Sequence, residues 1–233
     1  MVVMLTPDLG KITVSARGSR KLKSGYGAAL EPMTKSDVLI DYRPEKDVQQ
    51  IRSADTTDFF GGMKASFVRS TVANACCEMI DHAIADPERM DDVYHSLCST
   101  LEGLDCDEDT GALRWFWWLS LKLATALGYA PELSACMSCG LESPEHPRLA
   151  FDVGGVMCAK CADSARTRTR FMSPAAQQFL AKLSISEPCE VGRIDVVNRL
   201  EKEVTQHLES YLKYHLPAYR RVRSLDLLPQ FAG

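Results

Sequence analysis

Four cysteines in two Cys-x-x-Cys pairs constrain this chain more than any other feature. Cys136 and Cys139 form the first pair, and Cys158 and Cys161 form the second after eighteen intervening residues. Two residues between cysteines allow one tight turn to direct both sulfur atoms at a single ion, and a second such turn completes a tetrahedron. The spacing therefore predicts one structural zinc ion (Zn2+) bound by four thiolates.

The residues around the two pairs indicate a zinc ribbon at residues 132–165. Gly140 follows the first pair, where a positive φ lets backbone N–H groups point back at the thiolates. Residues 151–157 contain Gly154 and Gly155 and are typical of a hairpin with a glycine turn. His146 lies between the pairs and stays open as an alternative ligand, although nothing in the spacing requires it.

Two alternatives compete with a closed zinc site. Disulfides need an oxidising compartment, whereas the first residues indicate a strand rather than a signal peptide, and nine cysteines, an odd number, fit a reducing cytoplasm. A catalytic zinc ion keeps one position open for water, whereas four cysteines close the coordination sphere. The five other cysteines are expected to be small buried residues: Cys76, Cys77, Cys98, Cys106 and Cys189.

Length and composition describe an ordinary globular chain. Its 233 residues suffice for one large or two modest domains, and 45% hydrophobic and 25% charged residues are typical of soluble proteins. A net charge of −4 gives no global sign of nucleic-acid binding, so any site for anions must be local. The longest apolar stretch, 113–129, carries Arg114 and Lys122, and we expect no membrane segment.

The hydrophobic pattern predicts an α+β chain with two parts. Strand patterns occur at 2–5, 11–17, 26–30, 38–42 and 48–52 and form a mostly antiparallel β module, residues 1–58. Helical patterns occur at 66–85, 90–103, 113–127 and 173–183, followed by a helix of about 22 residues that begins at Ile194 and ends before Pro217. Residues 59–233 therefore form a helical domain, and the ribbon is inserted between its helices.

Three clusters of basic residues stand out against the negative net charge. They are Lys11, Arg17, Arg20, Lys21 and Lys23; Arg166, Arg168 and Arg170; and Arg220, Arg221 and Arg223. The first cluster contains no acid and is interleaved with glycine and serine, which suits contacts to phosphates because cations displace counterions from a nucleic-acid backbone. Solvated surface loops show the same composition, so both interpretations stay open.

The apolar helix carries Trp115, Trp117 and Trp118, of which Trp115 and Trp118 are the candidates for partner binding, and these tryptophans have two interpretations. They form a docking pocket for a partner, or they pack in the core, as is usual for a helix that is apolar on all sides. Enzyme signals are weak, because the chain has no phosphate-binding loop, no Gly-x-Ser-x-Gly, no His-Glu-x-x-His and no zinc-deaminase pattern. We therefore expect a protein without catalytic residues.

With these motifs in view, the chain resembles the bacterial RecO family of DNA repair and recombination mediators over nearly its whole length. The resemblance is carried by Thr6 with Gly10, by residues 18–24 and 30–32, by 127–133 running into Cys136, by 154–158, by 211–212, and by 221–224 with Leu227. Members usually have a further strand before the segment that begins here at Val2. Counted from Val2, the barrel is one strand short.

The resemblance implies an N-terminal OB-fold-like barrel, a helical domain and a zinc ribbon that some relatives lack. It also implies binding of single- and double-stranded DNA and annealing of complementary strands. The implied partners are RecR and the single-stranded-DNA-binding protein, SSB, with which such proteins help to load RecA. A cytoplasmic, nucleoid-associated protein without a small-molecule substrate is expected.

Two other functions remain open. A protein-interaction scaffold with a structural ribbon and incidental DNA contacts would fit the negative net charge and the aromatic helix. A zinc hydrolase or deaminase would need an open metal site, which a set of four cysteines does not provide.

Overall fold

The computed structural model describes residues 1–16, 26–84, 89–165, 167–229 and 231. Its α+β architecture confirms the predicted fold class. The strands are β1 (Val2–Thr6), β2 (Gly10–Ser15), β3 (Lys35–Asp41), β4 (Val48–Asp58), β5 (Arg148–Ala150), β6 (Gly155–Met157) and β7 (Thr169–Phe171). The helices are α1 (Gly61–Lys64), α2 (Phe67–Ala83), α3 (Asp91–Cys106), α4 (Ala112–Ala126), α5 (Ala159–Ser164), α6 (Pro174–Ile185), α7 (Pro188–Val191) and α8 (Asn198–His215).

The N-terminal strands form one sheet in the order β1-β2-β4-β3. The β1–β2 and β3–β4 pairs are antiparallel, and the β2–β4 pair is parallel. Alternating residues of β2 point into a small core, where Ile12 and Val14 pack with Ile51 and Ala54. The described residues place four strands in this sheet, one fewer than the five strand segments predicted from the sequence and the five of an OB-fold barrel.

Two strand predictions need correction. The segment 26–30 is not a strand but a 3₁₀ turn, Gly27–Leu30, because Ala29 N–H and Glu31 N–H bond to carbonyls three residues back. The strand predicted at 48–52 runs to Asp58, because β3 pairs with its residues from Gln50 to Asp58.

Helix α4 lies at the centre of the helical domain, and all ten residues from Ala112 to Leu121 are buried. The docking interpretation of Trp115 and Trp118 is wrong, because their side chains are only 4% and 2% exposed. The Trp115 indole N–H donates to Asp107 Oδ2 at 2.8 Å, and the Trp118 indole N–H donates to the Ser186 carbonyl at 2.9 Å. Both tryptophans therefore belong to the core.

Helix ends follow their capping residues. Ser66 and Ser173 accept hydrogen bonds from backbone N–H groups three residues further on and begin α2 and α6. The last helix begins at Asn198 rather than Ile194, because the Ile194 carbonyl turns away to accept a bond from Arg114 Nη1 at 2.6 Å. This contact joins the α7–α8 connection to α4.

The prediction that the five other cysteines are buried is confirmed only in part. Cys76 is buried and Cys77 and Cys98 are partly buried, whereas Cys106 and Cys189 are exposed. The last two lie at the end of α3 and in the four-residue helix α7, where a side chain faces solvent more readily than in the middle of the bundle.

The sheet is joined to the helical domain by polar contacts. Lys11 Nζ donates to the Asp81 carbonyl at 2.7 Å and lies 3.1 Å from Asp81 Oδ1, and Lys64 Nζ donates to Thr34 Oγ1 at 2.6 Å. In the described ranges, none of the helices combines the length and hydropathy required to cross a bilayer.

Candidate metal centre and nucleic-acid interface

The sulfur atoms of Cys136, Cys139, Cys158 and Cys161 all lie within 4.8 Å of one another. A tetrahedral zinc ion holds its sulfur ligands about 3.8 Å apart, so the four atoms already have the required proximity. Cys139 Sγ and Cys158 Sγ, one from each pair, are 3.9 Å apart. The two pairs therefore meet at one site that can hold a metal ion, as predicted. His146, the alternative ligand, is exposed and lies outside this cluster.

Backbone turns direct the thiols at each other. Gly140 has φ +70° and its N–H bonds to the Cys136 carbonyl at 2.8 Å, which closes the first turn. Cys158 begins α5, and its sulfur accepts from the Cys161 N–H at 3.5 Å. The Cys158 N–H in turn donates to Cys136 Sγ at 3.2 Å, so the second turn supports a ligand of the first.

The protonation chemistry of the thiols fits a cation. Burial opposes ionisation of Cys136, but N–H groups of Cys158, Cys139 and Ser138 outweigh it and lower its pKa to about 6. A hydrogen bond with the Ser138 side chain lowers the pKa of Cys161, but the neighbouring cysteine thiols outweigh it and raise that pKa to about 11. Four thiolates this close repel each other, and a divalent cation removes that repulsion.

The ribbon has a small core of its own and a firm connection to the chain before it. Buried Ala150, Met157 and Ala162 pack with Cys136 and Cys158. The Val156 N–H donates to the Glu132 carbonyl at 2.8 Å, and a Cβ at Gly155 would lie 2.5 Å from that oxygen. Only glycine fits where these two backbones approach.

The predicted hairpin is confirmed as β5 and β6, which pair from Arg148–Met157 to Ala150–Gly155.

A third ribbon strand, β7, was missed by the sequence analysis. It pairs with β5 in antiparallel register, from Arg148–Phe171 to Ala150–Thr169. The alternation of arginine and threonine at 166–170 is a period-2 strand signal, although its arginines also mark it as a basic cluster. Arg170, which lies within β7, is therefore held in place by sheet pairing.

Most residues of the first basic cluster, and one of the second, lie outside the described residues: Arg17, Arg20, Lys21, Lys23 and Arg166. Lys11 is described, and its ammonium group is paired with Asp81 across the domain junction. Its charge is therefore compensated within the protein.

The described arginines of the second cluster differ in their surroundings. Arg170 Nη1 donates to Ser210 Oγ and Arg170 Nη2 to Gln206 Oε1, both at 2.9 Å, which joins β7 to α8. Arg168 is exposed, and its guanidinium carbon lies 5.8 Å from the centre of the Phe151 ring. Arg168 is thus available to a ligand, and Arg170 is engaged in packing.

The third cluster is carried by residues 219–225, which we call the C-terminal strap. Tyr219, Val222 and Leu225 are buried, so the strap lies firmly on the helices. The side chains of Arg220, Arg221 and Arg223 are exposed. Arg221 forms an ion pair with Asp226, whereas Arg220 and Arg223 have no side-chain partner among the residues that the structure describes.

Two carboxylates that the sequence analysis missed hold the strap in place. Glu78 on α2 accepts from the N–H groups of Arg223 and Ser224, both at 2.9 Å. Glu209 on α8 accepts from the Val222 N–H at 3.2 Å. A lone glutamate on a helix carries no sequence signal for such a contact, because its partner lies far away in the chain.

The fold brings Lys11 of the first cluster and the C-terminal strap to the same helix, α2. Lys11 contacts Asp81 on the last turns of α2, and the adjacent His82 Nδ1 lies 3.1 Å from the Arg220 carbonyl. The second cluster lies against α8 at Gln206 and Ser210. Among the described residues, Lys11 and the strap therefore meet at α2, whereas Arg170 lies at α8.

Comparison with known proteins agrees with this architecture. The family described as Recombination protein O N terminal matches residues 1–60, and Recombination protein O C terminal matches residues 65–225. The DNA repair protein RecO of Anaeromyxobacter sp. strain Fw109-5 is 30% identical over 227 residues, which cover 93% of this chain and 84% of that protein.

Two further relatives are similar over almost the whole chain. The DNA repair protein RecO of Bifidobacterium longum subsp. infantis is 30% identical over 232 residues, covering 98% of this chain and 90% of that protein. The protein of the same name from Symbiobacterium thermophilum is 26% identical over 233 residues, covering 98% and 89%. The matched regions contain the sheet, the helical domain and the four-cysteine ribbon, and this chain belongs to the RecO family of DNA repair proteins.

Proposed function

We propose that this protein is a non-enzymatic recombination mediator that binds single- and double-stranded DNA and anneals complementary single strands. In this role it acts with RecR to help load RecA onto SSB-coated DNA, at the nucleoid in the cytoplasm. Membership of a DNA repair family supports the general role. One observation supports the DNA contact: the rigidly held strap carries two exposed guanidinium groups, those of Arg220 and Arg223, without an internal acceptor among the described residues.

In this proposal the ribbon holds zinc as a structural ion. Four thiolates close the coordination sphere and leave no position for a reacting water, so the ion supplies folding free energy rather than catalysis. The small size of the ribbon core supports this role, because five buried residues alone stabilise a unit of this length poorly.

The scaffold alternative has lost its main support. It relied on Trp115 and Trp118 as a docking surface, and both are buried with their indole N–H groups bonded inside the protein. The net charge of −4 still favours it, because a negative chain is repelled by DNA unless its cations are concentrated locally.

Annealing of SSB-coated complementary strands tests the proposal. A mediator accelerates annealing of coated strands, whereas a scaffold binds SSB or RecR without accelerating it. A measured rate equal to that of SSB-coated strands alone, at protein concentrations that saturate SSB, would contradict the mediator function.

Charge reversal tests which residues contact DNA. Changing Arg20, Lys21 and Lys23 together to glutamate should weaken single-strand binding and make its dependence on salt concentration less steep, because phosphate contacts release counterions. The matched control changes three exposed basic residues elsewhere, Lys182, Arg193 and Lys202, by the same total charge. Equal losses in both triple variants would show a general charge effect and exclude the first cluster as the site.

A further inference from the structure

Three aromatic side chains meet at the surface where the ribbon joins the helical domain. The rings of Tyr129 and His215 are stacked, with centroids 4.8 Å apart and an angle of 29° between their planes. Tyr214 contacts the same imidazole edge-on at 5.0 Å. We call Tyr129, Tyr214 and His215 the aromatic platform. Tyr129 belongs to the segment that resembles the RecO family, but neither the metal centre nor the basic clusters use it.

The platform combines exposure with a rigid base. Tyr129 and Tyr214 are 40% and 45% exposed, which is unusual for tyrosines in ring contact with a neighbour. Beneath them, buried Tyr211 lies 4.4 Å from His215 and buried Phe151 lies 5.6 Å from Tyr214. Both tyrosines are therefore partly exposed to solvent while their rings rest on packed neighbours.

The backbone also holds Tyr129 in position before any ligand binds. Gly128 ends α4 with φ +83°, and its N–H bonds to the Thr125 carbonyl at 3.0 Å. The Tyr129 N–H bonds to the Ala124 carbonyl at 2.7 Å. These two bonds form a Schellman motif, which holds the residue after the glycine in a defined position. Little conformational entropy is then lost when a ligand contacts the ring.

Charge beside the platform favours an anionic aromatic ligand. Arg168 is exposed, and its guanidinium lies over the Phe151 ring that contacts Tyr214. Asp152, which follows Phe151 in the chain, accepts a hydrogen bond from the Thr167 hydroxyl. Burial lowers the pKa of His215, against a hydrogen bond to the Phe151 backbone that raises it, which favours the neutral imidazole as a stacking surface.

We propose that the aromatic platform is a base-stacking subsite for single-stranded DNA, with Arg168 contacting an adjacent phosphate. Unpaired bases stack on aromatic side chains regardless of sequence, whereas bases inside a duplex are covered by their neighbours. The subsite therefore distinguishes single strands from duplexes, which the phosphate contacts of the basic clusters do not. The proposal rests on the proposed DNA-binding function and places a base contact in the helical domain rather than in the sheet.

A pair of oligonucleotides tests the subsite: an oligothymidylate and an abasic strand of equal length and charge. The unmodified full-length protein should bind the oligothymidylate more tightly. The double substitution Tyr129→Ala with Tyr214→Ala should lower this affinity by roughly 5- to 150-fold per stacked base and leave abasic binding and the salt dependence unchanged. The double substitution Tyr129→Phe with Tyr214→Phe keeps both rings and should retain the affinity of the unmodified protein. This variant tests the role of the rings even if the alanine variant folds poorly.

Tyr94→Ala is the matched control, since Tyr94 also contacts a histidine, His95, but edge-on and on α3. Equal loss of affinity for both oligonucleotides, or a loss of the same size in Tyr94→Ala, would overturn the subsite. Unchanged affinity in the alanine variant would overturn it as well. If the unmodified protein binds neither strand, the proposed DNA-binding function itself fails, which is a distinguishable result.

Discussion

Glu78 and Ser224, which are 146 residues apart in the chain, are joined by two hydrogen bonds to a single carboxylate oxygen. The Ser224 hydroxyl donates to Glu78 Oε2 at 2.6 Å, and the Ser224 backbone N–H donates to the same atom at 2.9 Å. Asn74 Nδ2, one turn earlier on α2, donates to the Ser224 hydroxyl oxygen at 2.8 Å. This contact fixes the C-terminal strap, and with it the arginines of the third basic cluster, on the helical domain.

Glu78→Gln should destabilise the protein by about 1.5–3 kcal/mol at pH 7, because charge-assisted hydrogen bonds to the strap are lost. Burial raises the pKa of Glu78, but bonds from Ser224 and Arg223 outweigh it and lower that pKa below its usual 4.5. The stabilisation is therefore present above pH 4.5 and is lost as the pH falls through the lowered value. Urea unfolding at a series of pH values measures both effects.

Glu108→Gln is the control for this prediction, since Glu108 is exposed. It should leave both the unfolding free energy and its pH dependence unchanged. A Glu78→Gln variant with the same pH profile as the unmodified protein would show that the strap does not depend on this carboxylate.

Cys136→Ser should abolish zinc binding and unfold the ribbon, because metal coordination supplies the folding free energy of so small a unit. Zinc content per chain and proteolysis of residues 132–165 measure the two outcomes. The control is Cys189→Ser, an exposed cysteine outside the cluster, which should retain full zinc content. Native zinc content and an unchanged melting temperature in Cys136→Ser would refute the assignment.

Gly103→Ala tests the packing of the core. Alanine normally stabilises a helix interior by about 1 kcal/mol relative to glycine. Here the added Cβ would lie 2.1 Å from Trp115 Cζ2, so overpacking of about 1–3 kcal/mol should dominate and lower the melting temperature.

Gly61→Ala provides the comparison, because no atom lies within 4 Å of the added Cβ at that position. It should leave the stability unchanged or slightly increased. Equal melting temperatures for the two variants would mean that Trp115 moves away from α3 without cost.

The arginines should separate into two kinds. Arg220→Ala with Arg223→Ala should weaken DNA binding and leave the unfolding free energy within about 0.5 kcal/mol, because both side chains are exposed. Arg170→Ala should lower the unfolding free energy by about 1–2 kcal/mol, because it removes hydrogen bonds to Gln206 and Ser210. Fluorescence anisotropy with a labelled oligonucleotide and urea unfolding distinguish the two. The reverse pattern would contradict the proposed interface.

Much of the fold follows from short-range rules and could be predicted. The spacing within each Cys-x-x-Cys pair, the helical patterns that begin at Ser66 and Ser173 and the apolar run of α4 each depend on residues within a few turns of each other. Such features depend on local geometry, which can be predicted from the residues next to each other in the sequence.

The errors share one cause, which is competition from distant partners. The charges of 166–170 indicate a solvated loop, yet β5 offers hydrogen bonds to the backbone of Thr169–Phe171, and these residues form β7. Trp115 and Trp118 were compatible with a surface pocket until Asp107 and Ser186 were seen to accept their N–H groups.

The sequence by itself determined the four-thiol site, the α+β class and the family resemblance, because each resides in spacing, periodicity or short motifs. Only the tertiary structure decided which cations are free and which are engaged in packing. Lys11 and Arg170 look like Arg220 and Arg223 in the sequence, but the first two meet acceptors on α2 and α8. Whether a charge is compensated depends on which distant group the fold brings to it, and composition carries no record of that distance.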